Sequence, residues 1–142
     1  MELIINNDVG ARIDRAMLRK LAKKVSLPAR LAAKRAGRQA KRDWIVSISF
    51  VKRGAMKKLN SAYRKKDMPT DVLSFNMNEG KLLGDVVVCP SVAKANARKY
   101  NVSFNAEISR LVVHGLLHLL GYDHGRKMFK MQDKIMEVMN HA

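Results

Sequence analysis

The sequence predicts an α+β fold, a small four-stranded sheet with about five to six helices around a central, buried helix. Three observations predict it. Four short segments have strand-like apolar patterning, six stretches have helical spacing, and one of those helices, over residues 104–120, is apolar on nearly every side. At 142 residues the chain suits one domain, since domains cluster near ~100 to 150 residues. Apolar residues make up 47% of it and run from end to end, so a core can be buried.

Residues 2–6 (ELIIN) form a short strand. Residues 12–25 form a helix in which Ile13, Met17, Leu21 and Val25 recur every four positions. The other side of that helix carries Arg12, Arg15, Arg19, Lys20, Lys23 and Lys24. Pro28 suits the first turn of a second helical stretch through residue 42, with Arg30, Lys34, Arg38 and Lys41 on one side and Leu31 as its only large apolar residue. That piece has little to bury. It is either a solvated helix or partly disordered arm, or a helix ordered on contact with phosphates.

Residues 44–51 (WIVSISFV) alternate as a strand does, and residues 55–64 recover helical spacing through Met56, Leu59 and Tyr63. A turn at KDMPT leads into the strand DVLSFNM. NEGK then reads as a hairpin turn before LLGDVVVC, so these two strands are antiparallel. Pro90 opens a helix to about residue 100, and Ser103 caps the apolar helix that follows. A helix without a wet face belongs inside a domain, packed by sheet and helices together. Residues 126–140 form a last amphipathic helix with Met128, Met131, Ile135, Val138 and Met139 on its apolar side.

The net charge is +16 and the isoelectric point is near 10.4, which points to a polyanionic partner such as nucleic acid or an anionic membrane surface. The charge is unevenly placed. Residues 1–66 carry 19 Lys and Arg against 4 Asp and Glu, and residues 67–142 carry 9 against 8. No apolar run approaches the ~20 residues of a membrane helix, and MELIINND lacks the features of a secretion signal. With one cysteine, Cys89, no internal disulfide can form, which agrees with a reducing cytoplasm. Within VVVCP that thiol is expected to be buried and inert.

The stretch HGLLHLLGYDH holds His114, His118 and His124. Residues four apart on a helix stand one above the other, so His114 and His118 can face one ion. Gly121 can take the left-handed conformation that ends helices, which lets the chain reverse and return His124 to the same point. Three neutral imidazoles then leave a fourth position for water, as catalytic zinc sites do, and leave the metal's full charge to acidify that water. Imidazole also suits iron, copper and nickel, while tetrahedral geometry favours zinc. The bland alternative is three core histidines, but unpaired imidazoles in an apolar helix are costly to bury. His141, beside the C-terminus, reads as a solvated end residue.

The triad resembles the second half of the metzincin protease signature, with one departure. The glutamate general base of those proteases directly follows the first histidine, and here that position is Gly115. Peptide hydrolysis lacks its base, whereas a phosphodiester facing an activated water still meets a nucleophile. Asp123 can orient an imidazole or cap the turn.

HGLLHLLGYDH, taken with LNSAYRKKDMPTDVLSF and LLGDVVV, resembles the YbeY family of bacterial rRNA maturation factors over roughly residues 44–140. The resemblance implies a single zinc-dependent, single-strand-specific endoribonuclease domain of the cytoplasm, acting in small-subunit rRNA 3′-end maturation and ribosome quality control. It implies a small mixed sheet with helices around a central ligand-bearing helix, a zincin-like arrangement, and one zinc ion per chain on His114, His118 and His124. It gives Arg64, the arginine of NSAYR, a role beside the metal. Read from the residues alone, Arg64 is either a surface arginine or a fork of donors for a phosphoryl group. The expected partners are RNA, rRNA and the small ribosomal subunit, with no membrane and no DNA specificity. The first half departs from the family, because KRGAMKK stands where its members tend to be acidic, and the basic segment at about 28–43 has no counterpart. A non-catalytic ribosome assembly factor with a structural zinc is the alternative. Tyr63, Phe75 and Tyr122 can either stack bases or fill the core.

Overall fold

A computed structural model describes residues 1–35, 44–122 and 125–140 of the chain. In order, the elements are β1 (Glu2–Asn7), α1 (Arg15–Arg35), β2 (Ile45–Phe50), α2 (Arg53–Arg64), β3 (Val72–Glu79), β4 (Leu82–Val88), α3 (Pro90–Tyr100), α4 (Phe104–Leu119) and α5 (Arg126–Asn140). Four strands form one mixed sheet in the order β1-β2-β4-β3. The β1–β2 and β2–β4 pairs are parallel, and β3–β4 is the antiparallel hairpin that NEGK announces.

β4 lies inside the sheet and is covered on both faces, which is why it reads as an unbroken VVV. Val86 and Val88 join the main core with Leu21, Ile48, Leu111 and Leu116. Val87, pointing the other way, joins a smaller cluster with Met56, Leu73 and Cys89. Cys89 is fully buried, as its apolar setting predicts.

The first helix differs from the expected pair of helices. It begins at Arg15, where the Met17 N–H donates to Asp14 Oδ1 at 3.0 Å and so caps the first turn. It then continues through Pro28 to Arg35, so Pro28 lies within α1 and opens nothing. Proline's fixed φ is itself helical and costs one backbone hydrogen bond. The buried stripe Leu18, Leu21, Ala22 and Val25 anchors the turns before it. The remainder of the expected stretch to residue 42 lies outside the described residues.

α4 starts at Ser103, whose Oγ accepts the Ala106 N–H, and buries ten of its sixteen residues. It packs against α1, α3, α5, β3 and β4. Among the described residues no helix is long and apolar enough to cross a membrane.

Candidate active site

α4 presents His114 and His118 one turn apart on one face. Their rings stand 4.8 Å apart between centroids at an interplanar angle of 78°, both half-buried. The face they share follows from the helical repeat alone.

The helix ends just beyond them. Tyr122 N–H donates to Leu117 O and Gly121 N–H to His118 O, both at 3.0 Å, while Gly121 takes φ 93°. This pair of bonds with a left-handed glycine is a Schellman cap, and it ends the helix at the glycine that the sequence singles out. His124 and Asp123, like His141, lie outside the described residues. Among the described residues no three His, Cys, Asp or Glu side chains gather as a metal site. What the structure contributes to the expected tripod is therefore the His114–His118 pair.

Gln132 stands behind that pair. It is 5% exposed on α5, and its Oε1 lies 3.0 Å from His114 Nδ1. An amide oxygen only accepts, so this contact is a hydrogen bond in the tautomer that carries its proton on Nδ1. Metal-binding histidines are oriented in this way by a partner on their other nitrogen. Gln132 escapes the sequence reading, although a signal exists: between Met128 and Ile135 it holds a core position of an amphipathic helix, where a polar residue needs a buried partner.

Gly115 marks where α4 touches the sheet. A Cβ there would sit 2.6 Å from Val86 Cγ1 and 3.1 Å from Ser74 Oγ, and the Ser74 hydroxyl donates to Gly115 O at 3.2 Å. A side chain at the position that carries the glutamate base in metzincin proteases would therefore force Val86 to shift. Packing and sequence both weigh against a protease base there.

Arg64, the last residue of α2, lines the same cavity as the histidines. Lys65 adopts φ 54° and ends the helix. Asn60 Nδ2 donates to Met68 O at 2.8 Å, pinning the loop that follows, and Tyr63 packs edge-on against Phe75 of β3 at 5.0 Å. Tyr63 is 67% exposed, so it belongs to the surface and not to the core. The start of β3 is tied down in turn by Asp71, which accepts from Val72 N–H at 2.8 Å and Asn96 Nδ2 at 3.2 Å. Arg110 lies 3.9 Å from Asp71 and forks onto the buried Glu107, whose hydrogen bond holds the guanidinium above its ordinary pKa against the opposing effect of burial.

Arg64, Ser74, Asn76, His114, His118 and Tyr122 wall one open cavity of about 410 Å³. Two imidazoles half-buried at a cavity mouth, one of them backed by Gln132, fit a zinc ion that His114 and His118 would help to hold. The guanidinium of Arg64, in the wall of the same cavity, fits an anion.

Arg12, just before α1, and Arg15, Arg19, Lys20, Lys23 and Lys24 along it are exposed, and none forms an ion pair among the described residues. Cations kept apart from carboxylates form a surface suited to phosphates.

A family model described as endoribonuclease YbeY matches residues 4–140, so the match takes in the basic first half as well as the region from residue 44 onward. A curated protein of Thermotoga maritima named endoribonuclease YbeY is 40% identical over 101 residues, 67% of each chain. One of Aquifex aeolicus with the same name is 47% identical over 91 residues, 61% of this chain and 60% of that one. A solution structure of a Thermotoga maritima protein superposes with a TM-score of 0.59 at 32% identity, covering 96% of this chain and 89% of the other.

Proposed function

Because the chain belongs to the YbeY family, we propose that it is a single-strand-specific metallo-endoribonuclease of the cytoplasm that acts in rRNA processing, namely small-subunit rRNA 3′-end maturation and ribosome quality control. The observation that carries the reading is the meeting of His114 and His118, backed by Gln132, with Arg64 in one open cavity of a strongly cationic chain.

In this reading His114, His118 and His124 hold one zinc ion, and α4 is the ligand helix of a zincin-like site. A bound zinc ion supplies Lewis acidity, polarising a phosphoryl oxygen and acidifying a water. The chain's own residues do the rest. Gln132 fixes the tautomer of His114 and keeps its ring aimed into the cavity. Arg64 offers a planar fork to the non-bridging oxygens of the scissile phosphate and offsets the charge that grows on them. Gly115 lets α4 lie against β4, which sets the depth of the histidine pair. The α1 cations gather the phosphate backbone of rRNA, within the small ribosomal subunit, by release of its counterions.

The test is incubation of the purified, zinc-loaded protein with a single-stranded RNA and with the same sequence as a duplex. Cleavage of the single strand alone is expected. Protein that binds both and cleaves neither would be an assembly factor with a structural zinc.

A further inference from the structure

We infer that a second cavity beside the histidine pair, walled by Trp44, Asn76, Asn78 and Lys81, is a nucleotide subsite that stacks one base of a single-stranded RNA next to the phosphate held at the metal cavity. The inference rests on the endoribonuclease reading above.

The cavity measures about 340 Å³, and it adjoins the histidine cavity, with which it shares Asn76 and Gly121. Along β3, Ser74 lines the histidine cavity, and Asn76, two residues on and on the same side of the strand, lines both cavities. Leu119 and Leu120, just past His118, supply an apolar wall.

Trp44 is the chain's single tryptophan, and its backbone is held from both sides. The Glu2 N–H donates to Trp44 O at 2.7 Å, and the next residue, Ile45, donates its N–H to Lys81 O at 2.8 Å. β1 and the β3–β4 hairpin therefore hold the backbone from which the indole projects. It is half-buried, packing partly on the core and partly lining the cavity.

Each wall matches one part of a nucleotide. The indole offers a flat face on which any base can stack. The Asn76 and Asn78 amides both donate and accept, as base edges require. Lys81 brings a cation to the adjoining phosphate. Bases already stacked in a duplex cannot reach the indole, so the subsite would favour unpaired strands.

Tryptophan emission tests this directly, because Trp44 reports alone. A short oligouridylate should quench it, and an abasic phosphodiester oligomer of equal length should not. Trp44→Leu should raise KM for single-stranded RNA by roughly 5- to 100-fold, the worth of one stacked base, with kcat little changed. Trp44→Phe, which keeps a ring, should retain most of the affinity. Wild-type protein that cleaves RNA with unaltered indole emission, or Trp44→Leu protein with unaltered KM, would overturn the subsite and leave the nuclease reading standing. Protein that neither binds nor cleaves RNA would overturn both.

Discussion

The Nδ1 of His114 on α4 and the Oε1 of Gln132 on α5 lie 3.0 Å apart, joining two helices through one imidazole. This contact places α5 in the service of the site even though α5 contributes no expected ligand.

Replacing Gln132 with Leu should weaken zinc binding by about 10- to 100-fold, as loss of a partner to a ligand's outer nitrogen does. Gln132→Glu keeps an acceptor and should stay close to wild type. Titration against a competing chelator measures both.

Gly115→Ala should destabilise the fold. Its Cβ would stand 2.6 Å from Cγ1 of Val86, which is wholly buried and stiff about χ1. Overpacking of this kind costs ~1 to 3 kcal/mol. Alanine's helix preference returns about 1 kcal/mol at most. Urea unfolding should show a net loss, and adding Val86→Ala should recover part of it. Equal stability of the Gly115→Ala protein would show that α4 is not seated tightly on the sheet.

Arg64→Ala should lower kcat by about 10²- to 10³-fold, the range for removing one donor to a developing oxyanion, while zinc content stays the same. Arg64→Lys keeps the charge but loses the fork, so it should recover only part of the rate. An unchanged kcat for Arg64→Ala would return this residue to the ordinary surface.

The cations of α1 should affect binding and not chemistry. Changing Arg15, Arg19, Lys20, Lys23 and Lys24 to Gln should reduce the log-log salt slope of single-strand binding by ~0.7 for each phosphate no longer neutralised. The rate at saturating RNA should be preserved. A slope identical to wild type would assign this face another task.

What could be read in advance was local chemistry. Ser103 caps α4, Gly121 ends it, and NEGK closes the hairpin, because each acts through bonds to its own neighbours in the chain. The pairing of His114 with His118 was legible for the same reason, since four residues bring a helix back to one face. The insertion of β4 between β2 and β3 was not, because strand order depends on how distant segments pack. Pro28 misled in a different way. Its φ suits any turn of a helix, so a start signal and a tolerated interior site look alike in sequence. The convergence of Arg64 on the histidines was open to the family resemblance but not to spacing, since two strands and one helix lie between α2, which ends at Arg64, and α4, which carries His114.

The central claim is that the histidine site does chemistry through its metal. Protein stripped by chelator and then given zinc stepwise should cleave single-stranded RNA in proportion to the metal bound, from none to a plateau at one zinc ion per chain. Undiminished cleavage by the metal-free protein would contradict it.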